Sequence, residues 1–131
     1  MKSTPFAILC TILLFASCSD KSPATYYIDA TNGNDANSGK SPTKAWKSVS
    51  RADGLVLQPG EKILLKRGET FLGQLNVTGQ GTVEAPIEVG AYGEGNLPIV
   101  TAPDSSLYTV KLKNCENIYL KCVEIVNTGS E

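Results

Sequence analysis

Short runs of alternating apolar and polar residues fill the chain from Leu55 onward, and they constrain the fold more than any other feature. Successive side chains of a β-strand point to opposite faces, so each run is typical of a strand with one buried face. Glycine and proline residues separate the runs, and no further helix is indicated. The pattern predicts an all-β domain of short strands. These strands include residues 62–66, 74–78, 87–91 and 110–113.

Two further patterns concern how the strands are arranged. Between Leu120 and Val123 the apolar residues of segment 118–125 change parity, so we expect the chain to turn a corner there. A spacing of 23 residues also links apolar positions, as expected for a coil in which like residues of successive turns stack. The spaced sets are Ile87 with Val110, Val89 with Leu112, and Val77 with Val100 and Val123.

One short helix is predicted before these strands. Ser41 is a suitable N-cap, Pro42 a suitable first helical residue, and Gly54 a suitable stop. Apolar residues at three-residue spacing form one stripe, on which we interpret the tryptophan as a core residue and not as a ligand platform. The stripe consists of Trp46, Val49 and Ala52.

Residues 31–39 are almost all turn formers. Their Asp and Asn side chains are potential calcium ligands, but the spacing does not fit an EF-hand loop and no bidentate Glu follows. We favour a loop that hydrogen-bonds to itself, and calcium binding is the alternative.

The N-terminus has the pattern of an export signal. Lys2 precedes the apolar run 6–15, and small residues follow at Ala16 and Ser17. Residues 15–18 resemble a bacterial lipobox, although Phe15 stands where Leu is usual. The resemblance implies that residues 1–17 are removed and that Cys18 is acylated. Residues 18–25 are then a polar tether to a lipid anchor in the bacterial outer membrane or periplasm.

The composition excludes several kinds of site. The chain of 131 residues has no histidine, which excludes a Ser-His-Asp triad and histidine-ligated zinc. A net charge of −1 gives no basic surface for nucleic acid. Beyond the signal and Cys18, only Cys115 and Cys122 remain. We interpret them as small buried hydrophobic residues, with a disulfide as the alternative and no metal site.

An ordered series of segments resembles a known group of proteins. The chain is similar to the N-terminal region of right-handed parallel β-helix proteins of the pectate-lyase-like superfamily. The resemblance implies an N-terminal cap with a short capping helix, followed by the first two to three rungs of the coil, over residues 26–131. We expect this domain to be incomplete. The segments are 26–29 with the following loop, the Trp46 helix, 57–68, 85–93 and 114–120.

The resemblance implies an exported carbohydrate-active protein, foremost a polysaccharide lyase or a related glycan-degrading enzyme. The alternatives are a non-catalytic glycan-binding or scaffold lipoprotein and an inactive fragment. No catalytic or substrate-binding residue can be assigned, and no cofactor is expected except calcium in a longer parent. Asn114 and Asn117 are interpreted as turn residues, with sugar binding as the alternative. We expect solvated outward side chains at Lys111, Lys113, Lys121 and Glu124.

Overall fold

A computed structural model describes residues 21–127, so the predicted signal of residues 1–17 and Cys18 lie outside the described residues. The described part is all-β, as predicted. None of its helices is long and apolar enough to cross a membrane. Its strands are β1 Thr25–Ile28, β2 Val56–Leu57, β3 Lys62–Lys66, β4 Thr70–Leu72, β5 Leu75–Gln80, β6 Ile87–Tyr92, β7 Ile99–Ala102, β8 Val110–Glu116, β9 Ile118–Leu120 and β10 Glu124–Asn127.

The strands form three parallel sheets, which the chain visits in a fixed cycle. The sheet orders are β1-β3-β6-β9, β4-β7-β10 and β2-β5-β8. Strands β3, β4 and β5 lie in different sheets, and β6, β7 and β8 return to the same sheets in the same order. Each of the two complete turns, β3–β5 and β6–β8, therefore adds one parallel strand to each sheet and stacks on the turn before it.

Strand register shows that the expected 23-residue repeat is wrong. Val89 pairs with Leu120 and not with Leu112, and Val77 pairs with Leu112 and not with Val100. The interval between partners varies because the loops of successive turns differ in length. Stacking of like apolar residues still holds, but its period is not constant.

Inward side chains of the stacked turns form one core. Ile63 and Val89 are paired neighbours of the four-stranded sheet and are fully buried, as are Phe71 and Val100 of a second sheet. Each such side chain contributes about 1.5–3 kcal/mol of transfer free energy. The other buried apolar residues include Ile28, Leu57, Leu65, Leu75, Val77 and Ile87.

The predicted capping helix is absent from the described residues. Two short 3-10 turns, Pro42–Lys44 and Val49–Ala52, stand in its place. Strand β1 takes the backbone hydrogen bonds of Trp46: its N–H donates to the Tyr27 carbonyl, and its carbonyl accepts from Asp29 N–H. An α-helix would need those groups for itself, which explains the error. The predicted apolar stripe is nonetheless buried.

Three residues other than glycine adopt left-handed backbone angles in the described part: Asn114, Asn117 and Cys122, with φ of 50°, 48° and 57°. Asn117 lies in the bend between β8 and β9, as the turn interpretation predicted, whereas Asn114 is the unpaired residue of a bulge within β8. Cys122 lies between β9 and β10, so the predicted corner is also confirmed. Cys115 is partly buried, whereas Cys122 is exposed, and the prediction of burial is wrong for Cys122.

The last described turn leaves its inward residues exposed. Leu112, Leu120 and Ile125 are 48%, 37% and 43% exposed. Their neighbours one turn earlier are buried, because the last turn itself covers those neighbours. Among the described residues nothing stacks on this final layer, so β8, β9 and β10 are edge strands with an apolar inner surface in water.

Candidate functional site

Asp29 is the most buried carboxylate of the described residues, at 4% exposure. It directly follows β1, where the chain leaves the sheet. One oxygen, Oδ1, accepts from the backbone N–H groups of Thr31 and Asn32, at 3.0 and 2.8 Å. The other, Oδ2, accepts from Lys66 Nζ at 2.9 Å. Both carboxylate oxygens of Asp29 therefore accept hydrogen bonds.

A second carboxylate shares the same lysine. Glu69 Oε1 lies 4.0 Å from Lys66 Nζ, and Glu69 Oε2 accepts from the Ala30 N–H at 2.7 Å. Lys66 ends β3 and Glu69 immediately precedes β4, so the turn between two sheets brings them together. We call Asp29, Lys66, Glu69 and Tyr92 the Asp29 cluster.

Tyr92 completes this cluster from the end of β6. Its hydroxyl is buried without a hydrogen-bond partner among the described residues, and its ring meets Tyr27 edge-on at 5.1 Å. Burial, followed by the charges of Asp29 and Glu69 and the nearby Tyr27, raises the pKa of Tyr92 to about 12. The hydroxyl therefore stays protonated at neutral pH.

The charges at Asp29 and Lys66 stabilise each other. Burial alone would raise the pKa of Asp29, but hydrogen bonds from the Asn32 N–H, Lys66 Nζ and the Thr31 N–H outweigh it and lower that pKa. The hydrogen bond to Asp29 is the main reason that the pKa of Lys66 is raised. Both groups are charged at neutral pH.

Two carboxylates beside a lysine are chemically suited to acid–base work, but the contacts assign this cluster another role. Three backbone N–H groups and the ammonium occupy its carboxylates, and residues 21–127 form no pocket beside it. The cluster fixes the start of the loop after β1 onto the coil. We therefore regard it as a positioning site.

The Asn-rich loop hydrogen-bonds to itself, as the favoured interpretation predicted, since Asn34 Oδ1 accepts from the Ala36 N–H at 2.9 Å. The loop is also bonded to the segment that follows it. Asp35 Oδ1 accepts from the N–H groups of Lys47 and Ser48, both at 2.9 Å, and Oδ2 accepts from Ser48 Oγ. Burial opposes ionisation of Asp35, yet the bonds from Ser48 and Lys47, with the charge of Arg51, lower its pKa. No group of three or more potential metal-ligating side chains occurs in the described part. Calcium in a longer parent stays a prediction.

The outward charges lie where the sequence predicted them. Exposed side chains are found at Lys111, Lys113, Lys121 and Glu124. Lys121 is paired: its Nζ lies 3.3 Å from Glu88 Oε2, and Lys62 Nζ lies 3.4 Å from the same oxygen.

Sequence reasoning assigned no catalytic or substrate-binding residue and did not find the Asp29 cluster. Its members are 23 or more positions apart, apart from the Lys66–Glu69 pair, and only the strand register brings them together. The one sequence signal that points to it is a charged residue at the end of each of two apolar segments: Asp29 directly follows β1, and Lys66 is the last residue of β3.

Comparison with known proteins gives two glycoside hydrolases and, over a shorter stretch of 58 residues at 34% identity, the glycine–tRNA ligase beta subunit of Vibrio cholerae. No family model matches the chain. Over 79 residues, 57% of the chain, it is 37% identical to a lacto-N-biosidase of Bifidobacterium longum. Over 64 residues, 49% of the chain, it is 34% identical to alpha-1,3-galactosidase A of Akkermansia muciniphila. These two relatives are glycoside hydrolases.

A solved structure supports the same relationship. A GH136 lacto-N-biosidase from Eubacterium ramulus matches with a TM-score of 0.72 and 32% identity over 82% of this chain. The match spans 21% of that chain, and the sequence matches span 5% and 11% of the two relatives above. The chain thus corresponds to a small part of each of these glycan-degrading enzymes.

Asp29→Asn tests the Asp29 cluster. At neutral pH we expect the free energy of unfolding to fall by about 1.5–3 kcal/mol, because a hydrogen bond to a charged group is lost. The lowered pKa of Asp29 means that its stabilisation is present above the usual pKa near 4 and is lost as pH falls through the lowered value. Urea unfolding at several pH values should therefore show a weaker acid dependence in the variant.

Glu84→Gln removes an exposed loop carboxylate and is the matched control. It should leave stability at neutral pH within about 0.5 kcal/mol of the parent chain. Equal stability losses in the two variants, or an unchanged acid dependence in Asp29→Asn, would contradict the role assigned to the cluster.

Proposed function

We propose that this chain forms the first turns of a right-handed parallel β-helix in an exported glycoside hydrolase. The observation that carries the proposal is the match to the GH136 structure at 32% identity over 82% of the chain. The cyclic order of the three parallel sheets supports the β-helix, and the relatives' names support hydrolysis of glycans.

The exposed final layer supports a structural role for these turns within a longer coil. Leu112, Leu120 and Ile125 continue the buried columns of the core by one position, but they face water. Exposed apolar side chains beside unpaired strand edges are a hazard for aggregation unless something covers them. A following turn in the same register would bury all three side chains and pair all three edges. In this proposal the catalytic groups lie on such later turns.

Hydrolysis is preferred here to the eliminative cleavage expected from the sequence. A biosidase and a galactosidase are hydrolases, and the matches to them cover about half of this chain or more. Within the described residues, the hydrogen bond to Asp29 raises the pKa of Lys66, which makes this lysine a poor general base. The proposal therefore replaces the lyase with a glycoside hydrolase.

The proposed site of action is outside the cytoplasm. Residues 1–17 would direct export and Cys18 would carry the lipid, followed by the tether of residues 18–25. Residues 21–23 are exposed and have no regular structure, and β1 already begins at Thr25. The first turn of the coil would then lie nearest the membrane.

Cys18→Ala tests the lipid anchor. Cells grown with a labelled fatty acid should incorporate the label into the parent protein and lose it in the variant, because acylation needs the thiol. Cys10→Ala is the matched control and should keep the label, since Cys10 leaves with the signal. Label that persists in Cys18→Ala would rule out the anchor.

Product analysis tests the reaction. The gene should be expressed with the coding sequence that follows codon 131, and the product incubated with oligosaccharides ending in lacto-N-biose or α-1,3-linked galactose. We expect new reducing ends without an unsaturated product that absorbs in the near ultraviolet, and no release by residues 1–131 alone. Unsaturated products would favour a lyase. Absence of any release by the longer product, or of further strand-forming sequence after codon 131, would contradict the proposal.

A further inference from the structure

The outer face of the four-stranded sheet carries three of the five tyrosines of the chain. Register places Tyr119 beside Glu88, Glu88 beside Lys62 on the next strand, and Tyr27 beside Leu64. Because alternate residues of a strand share a face, the buried neighbours of these side chains point inward and the tyrosines point outward. We call the set Tyr27, Lys62, Glu88, Tyr92, Tyr119 and Lys121 the tyrosine face.

Tyr119 is the open aromatic ring of this face. It is 60% exposed, whereas Trp46 is buried, and Tyr27 and Tyr92 pack against each other. An exposed tyrosine offers a flat apolar surface with a polar end, which suits ligands that have both kinds of surface. Tyr119 therefore provides a platform that the fold does not use in its core.

Charged groups lie beside Tyr119, and their ion pairs leave part of their hydrogen-bonding capacity unused. Glu88 Oε2 receives both Lys62 Nζ and Lys121 Nζ, at 3.4 and 3.3 Å, and these distances exceed the usual 2.7–2.9 Å of charge-assisted hydrogen bonds. The two lysine side chains are 44% and 58% exposed. Each ammonium has three donors, so donors remain for a ligand, and Glu88 adds an acceptor.

From these observations we propose that the tyrosine face binds a neutral glycan. A sugar ring stacks on Tyr119, and its hydroxyl groups bond with Lys121, Lys62 and Glu88. The inference rests on the proposed function for the choice of a glycan. It goes further by assigning a binding surface to turns that hold no proposed catalytic group.

Charge balance on this face favours a neutral ligand over an acidic one. Together with the adjoining Asp29 cluster, the ammonium groups of Lys62, Lys66 and Lys121 are matched by the carboxylates of Glu88, Asp29 and Glu69. The face and the cluster together have no net charge from these groups, so their long-range attraction for an acidic sugar is small. Sugar hydroxyls donate and accept, and therefore fit a surface that offers both ammonium donors and a carboxylate acceptor.

Further turns of a coil would leave this face accessible. A strand added beyond β9 pairs with the edge of β9, and therefore does not cover the outward side of Tyr119. The platform is thus compatible with the longer protein of the proposed function. A glycan strand held here would lie against the side of the coil.

Titration of the full chain with lacto-N-biose, followed by amide chemical shifts, tests the inference. We expect binding in the millimolar range or tighter, with the largest shifts around Tyr119 and Lys121. Tyr119→Ala should weaken it at least tenfold, and Tyr119→Phe should retain it because the ring is kept. Tyr108→Ala is the matched control: Tyr108 lies before β8, packs near Lys111 and should not affect binding.

Absence of binding at millimolar sugar, equal effects of Tyr119→Ala and Tyr108→Ala, or tighter binding of a galacturonate oligosaccharide would each overturn the inference. The proposed function fails separately, because the titration involves no hydrolysis. If the longer gene product releases sugar while Tyr119→Ala binds like the parent, only the tyrosine face is refuted. If Tyr119 is needed for binding but no sugar is released, only the hydrolase is refuted.

Discussion

Parallel pairing between successive turns is the interaction on which the rest of this structure depends. Ile63 and Val89 are buried because each lies in a strand that has a paired neighbour on both sides. A stack of this kind is stable in its middle and needs a cover at each end, since an end layer exposes apolar side chains and unpaired strand edges. The two ends of the described coil differ in this respect, because the first turn has a cover and the last described turn has none.

At the first turn the cover is built from the chain itself. Trp46 stacks on Tyr26 with ring centroids 5.2 Å apart, and its indole N–H donates to the Asn37 carbonyl at 2.8 Å. Gly39 packs so close to this ring that an added Cβ would lie 2.4 Å from it. The Asp29 cluster holds the start of the same segment. The loop and the two 3-10 turns together replace the capping helix that the sequence suggested.

Local pattern was sufficient to predict the strands but not their partners or the cap. Alternation of apolar and polar residues, as around Ile87 and Val89, directly predicts a strand with one buried face. Asn114 and Asn117 indicate left-handed backbone angles, because asparagine tolerates a positive φ. The helix at Trp46 was predicted wrongly because β1, a distant segment, takes its backbone hydrogen bonds. The residues of the Asp29 cluster and of the tyrosine face are brought together by the strand register. Because the loops differ in length, no fixed spacing in the sequence predicts that register.

Hydrogen exchange of individual backbone amides measures the stacking most directly. Strands β3 and β6 are paired on both sides, whereas β8, β9 and β10 each have one free edge. Exchange reports local opening, so amides of β3 and β6 should be protected most strongly and those of β8 to β10 least among the paired strands. Protection of β8 to β10 equal to that of β3 and β6, or rapid exchange throughout β3 and β6, would contradict the stacked parallel coil.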